Sequence, residues 1–245
     1  MCIRDSYWFG TKRGIERNNL PANCHLFEIN AVGYRGKRFL QKIFSIFRLV
    51  QTIFEVAIKF IKYKPKKVLC FGGYVSLPVG LVAVLFRVPI YLHEQNTVLG
   101  TANKILLKFA KKCFLGLPLI DTQKNGHFEL TGNPIRKILL EACQEYDIPS
   151  IYITGGSQGA NYLNDVIPKA LNKVNHRIRV VHQAGKGSSE LVINTYLKNK
   201  FDLLVVKDFF DDPFVEIQKA DFVISRSGAL SVSEITSLNK GGLYI

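Results

Sequence analysis

One stretch, residues 151–160 (IYITGGSQGA), shows the plan on which the rest of the chain is built. Its apolar start predicts a buried strand, its three glycines predict a tight turn, and the residues that follow carry apolar side chains at helical spacing. Glycine allows a positive φ and a close approach of the backbone to a ligand, and the free N–H groups of a helix N-terminus suit a phosphate. The stretch therefore predicts a phosphate-binding strand, turn and helix, with a turn that binds no ligand as the alternative.

The same alternation of strand and helix continues along the chain. Apolar segments predict strands at residues 7–10, 25–29, 68–71, 89–92, 113–115, 127–130, 151–154, 179–182, 203–206 and 222–224. Helical spacing predicts helices at residues 39–63, 78–86, 102–112, 161–172, 189–197, 213–219 and 229–238. This alternation indicates an α/β fold with parallel sheets that are covered on both faces.

Basic charge is concentrated in the first half of the sequence. Residues 1–136 hold 21 Lys and Arg against 7 Asp and Glu, whereas residues 137–245 hold 12 of each kind. The change falls at a turn, TGNPIR at residues 131–136, whose X-Pro step breaks the pattern. We therefore expect two domains, residues 1–136 and 137–245, and an anionic partner for the first, either nucleic acid or an anionic membrane surface.

The longest periodic segment, residues 39–63, predicts an amphipathic helix with a wide apolar face. One apolar row comprises Leu40, Ile43, Phe44, Phe47, Val50, Phe54, Ala57, Ile58 and Ile61, and a second comprises Phe39, Ile46, Leu49, Ile53 and Phe60. Residues 35–67 also contain ten basic residues and one acid, Glu55. A basic helix with bulky apolar side chains is typical of a membrane-surface element. A core helix with a solvated basic face is the alternative.

Several classes of protein and of site do not fit the sequence. The cysteines match neither a metal motif nor a disulfide framework, so we expect reduced thiols at Cys2, Cys24, Cys70, Cys113 and Cys143. We expect no membrane span and no secretory signal, because neither a long apolar run nor a signal pattern occurs in the sequence. The glycine-rich turn at residues 182–188 lacks the spacing of a P-loop.

Polar side chains follow predicted strands, which is where an open parallel sheet binds ligands. The segment HEQN at residues 93–96 follows one strand, and a solvated loop is the alternative there. Phe210 could stack on a flat base or pack in the core. Glu234, in the last predicted helix, could accept both hydroxyls of a ribose or merely favour the helix dipole.

Seven segments occur in the order and at the approximate spacing of one enzyme family. They are GGYVSLP from Gly72, HEQN from His93, GNPIR from Gly132, GGSQGA from Gly155, HQAGKGS from His182, FFDD from Phe209 and RSGALSVSE from Arg226. With these segments the chain resembles the MurG-type peptidoglycan glycosyltransferases from about Tyr7 to its end. The resemblance implies an α/β fold of the type-B glycosyltransferase architecture, in which two Rossmann-like domains with parallel sheets face a cleft.

The resemblance implies transfer of N-acetylglucosamine from UDP-N-acetylglucosamine to lipid I, undecaprenyl-diphospho-N-acetylmuramoyl-pentapeptide, which gives lipid II. The reaction would be a direct displacement at the anomeric carbon with inversion, and a general base would deprotonate the acceptor hydroxyl. Because no D-x-D motif lies near the nucleotide loops, we expect no metal and no cofactor. We expect a peripheral protein on the cytoplasmic face of the bacterial inner membrane, bound to anionic lipid and not to nucleic acid.

The resemblance also implies roles for individual residues. Ser157 would hold the donor diphosphate, Arg136 would offset charge on the departing UDP, Phe210 would lie against the uracil, and Asn96 would reach the sugar. The last predicted helix would line the nucleotide and hold the ribose, through Ala229, Leu230, Ser231, Val232, Ser233 and Glu234. Two glycine loops would bind diphosphates, the donor's at Gly155, Gly156, Gln158 and Gly159 and the acceptor's at Gly72, Gly73, Tyr74 and Ser76.

The sequence departs from the family pattern at both ends. The family begins with a strand and a GGTGGH loop whose histidine is a candidate base, and this sequence has no such loop. We expect residues 1–6 to be an artefact of a truncated reading frame, and we expect the family's donor-sugar loop and closing helices to be missing after Ile245. The 245-residue chain is therefore expected to be poorly folded and inactive, although its parent gene would encode the enzyme.

Two other kinds of function stay open. One is another type-B enzyme that uses a UDP-sugar, such as a lipid galactosyltransferase or a UDP-N-acetylglucosamine epimerase, although HEQN, GNPIR and RSGALSVSE argue against the epimerase. The other is a basic module that binds a membrane or RNA. The lack of an aromatic RNP1 signature weakens the RNA version.

Overall fold

The computed structural model describes residues 6–12, 20, 24–31, 39–120, 127–135, 147–156, 159–197 and 200–245, without the side chains of residues 39–46. The chain forms two compact units, Met1–Gly132 and Asn133–Ile245. The division lies inside the turn at residues 131–136, slightly before the boundary expected after residue 136.

The first unit is built on parallel strands. Its elements are β1 (Tyr7–Gly10), β2 (His25–Glu28), α1 (Phe39–Tyr63), β3 (Val68–Cys70), α2 (Gly73–Leu85), β4 (Ile90–Glu94), α3 (Thr101–Leu106), a 3-10 helix (Leu107–Phe109), β5 (Ala110–Leu115) and β6 (Phe128–Leu130). β1 and β2 form a parallel pair, and the other four strands form a parallel sheet in the order β3-β4-β5-β6. Because these strands run in one direction, the segments that follow them all start at one edge of the sheet.

The second unit contains one parallel sheet of five strands. Its elements are β7 (Ser150–Thr154), α4 (Asn161–Leu171), β8 (Arg179–Gln183), α5 (Ser189–Thr195), β9 (Leu203–Lys207), α6 (Pro213–Lys219), β10 (Phe222–Ser225), α7 (Ala229–Ser237) and β11 (Gly241–Tyr244). The strand order is β11-β10-β7-β8-β9, so the chain moves outward in one direction from β7 and then continues on its other side. Such a reversal is the switch point where open α/β sheets bind their ligands.

Most predicted elements are confirmed, including the helix at residues 39–63, but two predicted helices are wrong in extent. The helix predicted at residues 78–86 begins at Gly73, because the turn at Gly72 leads straight into it and Pro78 is accommodated in its interior. The helix predicted at residues 102–112 is short, and the chain becomes strand from Ala110. That strand, β5, pairs with both β4 and β6, and this pairing outweighs the local helical spacing.

Each unit has its own apolar core. In the first unit, Val56 and Phe60 of α1 pack in one buried cluster with Val82 of α2 and Leu92 of β4. In the second unit, successive residues of β7 point to opposite faces of the sheet, as strand geometry requires. Ile153 belongs to the core that includes α4 and α5 residues, and the preceding residue lies in the core that includes α6 and α7 residues.

A buried hydrogen-bonded triad lies within the second unit. The His182 ring is fully buried at the end of β8. Its Nε2 lies 3.2 Å from Asn164 Oδ1 and its Nδ1 lies 2.9 Å from the Tyr196 hydroxyl. Because the amide oxygen only accepts, Nε2–H donates to it. Burial favours the neutral ring, in which the hydroxyl donates to Nδ1. The triad therefore ties α4, β8 and the end of α5 together.

This triad makes the stability of the second unit depend on pH. Burial lowers the pKa of His182 to about 4, whereas a histidine in an unfolded chain titrates near ~6.5. As the pH falls, the unfolded chain takes up the proton first. We expect the free energy of unfolding to be fully retained above pH ~6.5 and to fall by about 3 kcal/mol as the pH approaches 4. Urea unfolding at a series of pH values, monitored by hydrogen exchange of the β8 amides, measures this loss.

Two substitutions separate His182 from other acid-sensitive groups. His182→Gln should flatten the pH dependence between pH 7 and 4, because it removes the titrating ring. His176→Gln is the matched control, since His176 lies in the same unit and is exposed, and it should leave the dependence unchanged. The same pH dependence in all three proteins would contradict the assignment.

Candidate functional site

In the second unit, the ends of four strands meet in one row. Thr154 of β7 pairs in register with Ser225 of β10 and with Gln183 of β8, which in turn pairs with Lys207 of β9. The segments GGSQGA, FFDD and RSGALSVSE begin within three residues of this row. They carry all the predicted donor-binding residues except Asn96 and Arg136. The fold therefore brings these segments to one edge of the sheet.

The glycine turn after β7 is tightly packed on one side and open on the other. A Cβ on Gly155 would lie 2.3 Å from the Ala160 nitrogen, and one on Gly159 would lie 2.6 Å from the Ala184 oxygen. Gly156 has a φ of +78° and open space beside it. Glycine is thus required by packing at two positions and by conformation at Gly156 and Gly159. Ser157 and Gln158, both predicted to bind here, lie outside the described residues.

The glycine turn after β8 is already bound to an anion from the chain itself. The Asp208 carboxylate accepts hydrogen bonds from the backbone N–H groups of Gly187, Ser188 and Ser189 at 2.6, 3.1 and 3.0 Å. Hydrogen bonds from Gly187 and Ser189 hold the pKa of Asp208 below its ordinary value. These N–H groups could suit a phosphate, but here they fix the segment that leads to Phe210.

The Phe210 ring is half-buried at the same edge. It lies edge-on to Tyr152 with the ring centres 6.1 Å apart, and Lys207 Nζ lies 5.2 Å from its centre. The two roles considered for Phe210, core packing and a flat surface for a base, are thus both compatible with its position.

The predicted nucleotide-lining residues form the start of α7. Gly228 is the N-cap, and Leu230 is exposed. Ser233 donates to the Ala229 oxygen at 2.8 Å and lies 2.9 Å from Asn133 Nδ2, so the GNPIR segment is bonded to this helix. Glu234 is the sixth residue of α7 and half-buried. It does not lie in the first turn, which weakens the alternative that it merely favours the helix dipole.

In the first unit, a glycine turn leads from β3 into α2. Gly72 and Gly73 have φ values of +81° and +73°, and Gly72 is an N-cap without a side-chain hydrogen bond. Tyr74 is half exposed, whereas Ser76 is buried and donates to the Gly72 oxygen at 2.6 Å. The Ser76 hydroxyl therefore holds the turn, and the backbone N–H groups at the start of α2 are the groups suited to an anion.

Glu94 organises the other polar strand end of the first unit. His93 and Glu94 belong to β4 itself and do not lie in the following loop. One oxygen of Glu94 accepts from the backbone and side-chain N–H groups of Asn96, both at 3.1 Å. The other accepts from the Gly100 N–H and from Asn103 Nδ2, both at 2.8 Å. Asn96, the residue predicted to reach the sugar, is therefore held by a buried carboxylate.

Electrostatics keep Glu94 ionised. Burial alone would raise the pKa of its carboxyl group, but the hydrogen bonds from Gly100, Asn103 and Asn96 together outweigh burial and lower it.

Among the described residues, two neighbouring buried acceptors lack a hydrogen-bond partner, Asn103 Oδ1 and His93 Nδ1. His93 Nε2 lies 3.2 Å from the Gly132 oxygen and carries the proton that this contact needs, so Nδ1 is the acceptor in the neutral ring. Both atoms fit a donor from a ligand, such as a hydroxyl group.

Comparisons with known proteins agree with this geometry. Residues 3–115 match the glycosyltransferase family 28 N-terminal domain, and residues 150–245 match the glycosyltransferase family 28 C-terminal domain. A relative from Aliivibrio salmonicida is 36% identical, and the match covers 97% of this chain and 68% of the relative. A relative from Vibrio atlanticus is 35% identical, with 97% and 69% covered. The chain belongs to glycosyltransferase family 28.

Both relatives carry the name UDP-N-acetylglucosamine--N-acetylmuramyl-(pentapeptide) pyrophosphoryl-undecaprenol N-acetylglucosamine transferase. Among solved structures, MurG from Acinetobacter baumannii is similar with a TM-score of 0.76 and 27% identity, over 98% of this chain and 68% of that one. A calicheamicin glycosyltransferase, CalG4, shares only the fold, at 10% identity and a TM-score of 0.65. The expected type-B glycosyltransferase fold is confirmed.

Within this family 28 chain, the structure groups the predicted residues by unit. The described ones of the second unit lie at the carboxyl edge of its sheet, and those of the first unit lie at the ends of β3 and β4. Arg136 lies outside the described residues. Sequence reasoning missed the side chains that hold these loops, namely Glu94, Asn103, Asn133, Gln183 and Asp208. Three of them stand inside quoted segments, but the segments alone do not show which residues act on other loops.

We expect Glu94→Gln to destabilise the first unit by about 1–3 kcal/mol, because an amide turns an N–H donor toward one pair of buried N–H donors. Glu129→Gln is the control, since Glu129 forms an exposed ion pair with Lys112 and should cost less than about 1 kcal/mol. Urea unfolding monitored by the fluorescence of Trp8, the single tryptophan, reports on this unit. Equal losses in the two variants would argue against the Glu94 network.

Proposed function

We propose that this chain is an inverting N-acetylglucosaminyltransferase of peptidoglycan synthesis. Its substrates would be UDP-N-acetylglucosamine and undecaprenyl-diphospho-N-acetylmuramoyl-pentapeptide, and its product lipid II. The main support is the 36% identity, over 97% of the chain, to a transferase named for these two substrates. A further support is that the glycine turns after β3 and β7 each precede a helix N-terminus, a feature suited to a diphosphate.

The donor belongs to the second unit in this proposal. The open side of the turn at Gly156 precedes the start of α4, and it suits the diphosphate because the free N–H groups and the positive dipole end of a helix N-terminus favour an anion. The start of α7 would line the nucleotide, Glu234 would accept the ribose hydroxyls, and the Phe210 ring would lie against the uracil. Arg136 and Ser157 stay predicted contacts of the same diphosphate.

The acceptor belongs to the first unit. The uncapped start of α2 after Gly72 suits the acceptor diphosphate, and the unpartnered acceptors on His93 and Asn103 suit a hydroxyl donor from a bound ligand. Asn96, fixed by Glu94, is our candidate for contact with the donor sugar. In the reaction, the acceptor oxygen would lose its proton to a general base as it bonds to the anomeric carbon, and UDP would leave with the electron pair of the broken bond.

Helix α1 supports docking on an anionic membrane. It buries Val56 and Phe60, yet all the described side chains of its first apolar row except Ala57 are exposed, with exposed fractions of 60% for Phe47, 67% for Phe54 and 66% for Ile58. The described basic side chains that are also exposed between residues 48 and 67 are Arg48, Lys62, Lys64, Lys66 and Lys67. An exposed apolar row beside lysines matches a helix that lies in the membrane interface.

Within the described part of the chain, no helix combines the length and apolarity needed to cross a bilayer. Burial of two exposed apolar side chains of α1 in the membrane interface would strengthen membrane binding measurably, since full burial of each is worth roughly 1.5–3 kcal/mol. We therefore propose that the chain acts at the membrane surface, where its lipid-linked acceptor would be found.

The donor assignment predicts selective nucleotide binding. Calorimetry should show that the chain binds UDP-N-acetylglucosamine more tightly than UDP-galactose. Glu234→Gln should weaken this binding by about 10- to 100-fold, because it removes hydrogen bonds to a charged group. Asp202→Asn is the control, since Asp202 precedes β9 at the opposite edge of the sheet and pairs with Arg177. Equal affinity for both sugars, or wild-type binding by Glu234→Gln, would refute the assignment.

The membrane assignment predicts loss of vesicle binding when α1 loses its exposed row. We expect the double variant Phe54→Ser, Ile58→Ser to bind phosphatidylglycerol-containing vesicles at least about 10-fold more weakly in a flotation assay. The matched control is Leu191→Ser, Leu197→Ser, which changes exposed side chains of the second unit and should bind like the wild type. Unchanged binding by the α1 variant would exclude this surface as the docking site.

A further inference from the structure

Gln183 is the last residue of β8 and lies at the carboxyl edge of the second unit's sheet, here called the donor edge because the donor is proposed to bind there. Its side chain is buried, with 3% exposed. It lies in register between Thr154 of β7 and Lys207 of β9, so it stands between the strand that leads to the diphosphate turn and the strand that leads to Phe210. No role follows for it from the segment HQAGKGS in which it occurs.

The Gln183 amide is bonded to both neighbouring loops at once. Its oxygen accepts from the Phe210 backbone N–H at 3.3 Å and from the Tyr152 hydroxyl at 3.5 Å. Its nitrogen donates to Thr154 Oγ1 at 3.3 Å and to the Gly156 oxygen at 3.4 Å. All four hydrogen-bonding positions of the amide are therefore used, and its orientation is fixed by partners of opposite kind on its two sides.

We propose that Gln183 is a positioning residue that couples the glycine turn at residues 155–160 to the Phe210 loop at residues 208–212. The diphosphate and the base of a nucleoside diphosphate would then meet one preformed surface. This inference rests on the proposed function for its ligand. It does not place Gln183 in contact with substrate. The residue acts through Gly156 on one side and through the Phe210 backbone on the other.

The surroundings make this coupling stiff. The preceding residue, His182, is fixed by Asn164 and Tyr196. Asn164 also donates to the Ala184 oxygen at 2.8 Å, and that same oxygen lies against Gly159. Both neighbours of Gln183 in the chain are thus held, and movement of one loop must strain the amide that it shares with the other. A site ordered before binding loses less conformational freedom when the ligand arrives.

Two substitutions separate the two halves of the amide. Gln183→Met keeps the length and removes every hydrogen bond, whereas Gln183→Glu keeps the acceptor toward Phe210 and loses the donor toward Gly156 when ionised. Asn172→Leu is the control, because Asn172 is another amide that bridges segments, accepting from the Leu197 N–H and donating to the Thr195 oxygen, both at 2.9 Å. Asn172 lies at the C-terminal end of α4, away from the donor edge.

The experiment is hydrogen exchange of the ligand-free 245-residue chain, followed by calorimetry with UDP. In Gln183→Met we expect faster exchange in both residues 155–160 and residues 208–212, and about 10-fold weaker UDP binding, the loss expected for neutral hydrogen bonds. Gln183→Glu should affect residues 155–160 more than residues 208–212. Asn172→Leu should lower the unfolding midpoint while leaving both segments and UDP affinity unchanged.

The coupling would be overturned if Gln183→Met exchanged faster in only one of the two segments or in neither. It would also be overturned if Asn172→Leu exchanged faster in both segments. Wild-type UDP affinity in Gln183→Met would overturn it as well. If the wild type does not bind UDP but Gln183→Met still speeds exchange in both segments, the coupling is supported and the proposed donor site is refuted. The two proposals therefore fail separately.

Discussion

Parallel strand pairing is the constraint on which both units depend. Parallel neighbours require a crossover, so the chain leaves each strand at one edge of the sheet and returns at the other. In the second unit this pairing sets Thr154 level with Gln183 and with Ser225, because β7 pairs with both β8 and β10. The backbone register thus fixes where the proposed binding segments begin, and the reversal of strand order beside β7 lies at the place where open α/β sheets bind ligands.

An internal carboxylate then decides which of the glycine turns already holds an anion. Asp208 takes the N–H groups of Gly187, Ser188 and Ser189, so that turn is a structural brace for the Phe210 loop. At the turns after β3 and β7, by contrast, no carboxylate among the described residues accepts from an N–H group, and the Gly156 N–H donates to the neutral Thr154 hydroxyl at 3.1 Å. Three glycine turns that look alike in the sequence therefore differ in what their N–H groups contact, and the difference depends on one carboxylate that lies 19 to 21 residues further along the chain.

The sequence predicts an element best where one periodic pattern of apolar residues continues along many consecutive positions. Helix α1 was predicted at its observed bounds because its apolar spacing persists over 25 residues. The segment after Ala110 was misassigned because strand pairing on both sides, which no local pattern records, outweighs helical spacing. The same limit applies to the site. Asn96 and the glycine turns stand in quoted segments, whereas Gln183 reaches Phe210 and Gly156 across 27 residues in either direction, so its role required the folded chain.

The uneven charge of the sequence corresponds to two different ways of holding an anion. Residues 137–245 are electrically balanced, and their candidate phosphate groups are backbone N–H groups and helix ends, whose influence fades within about one turn. Such groups select an anion of defined shape, as a diphosphate is. The exposed lysines after residue 60 act over roughly a Debye length, ~10 Å at 0.1 M salt, and do not fix the position of their partner. That suits a surface with many mobile charges, so the excess charge of the first half does not by itself require nucleic acid.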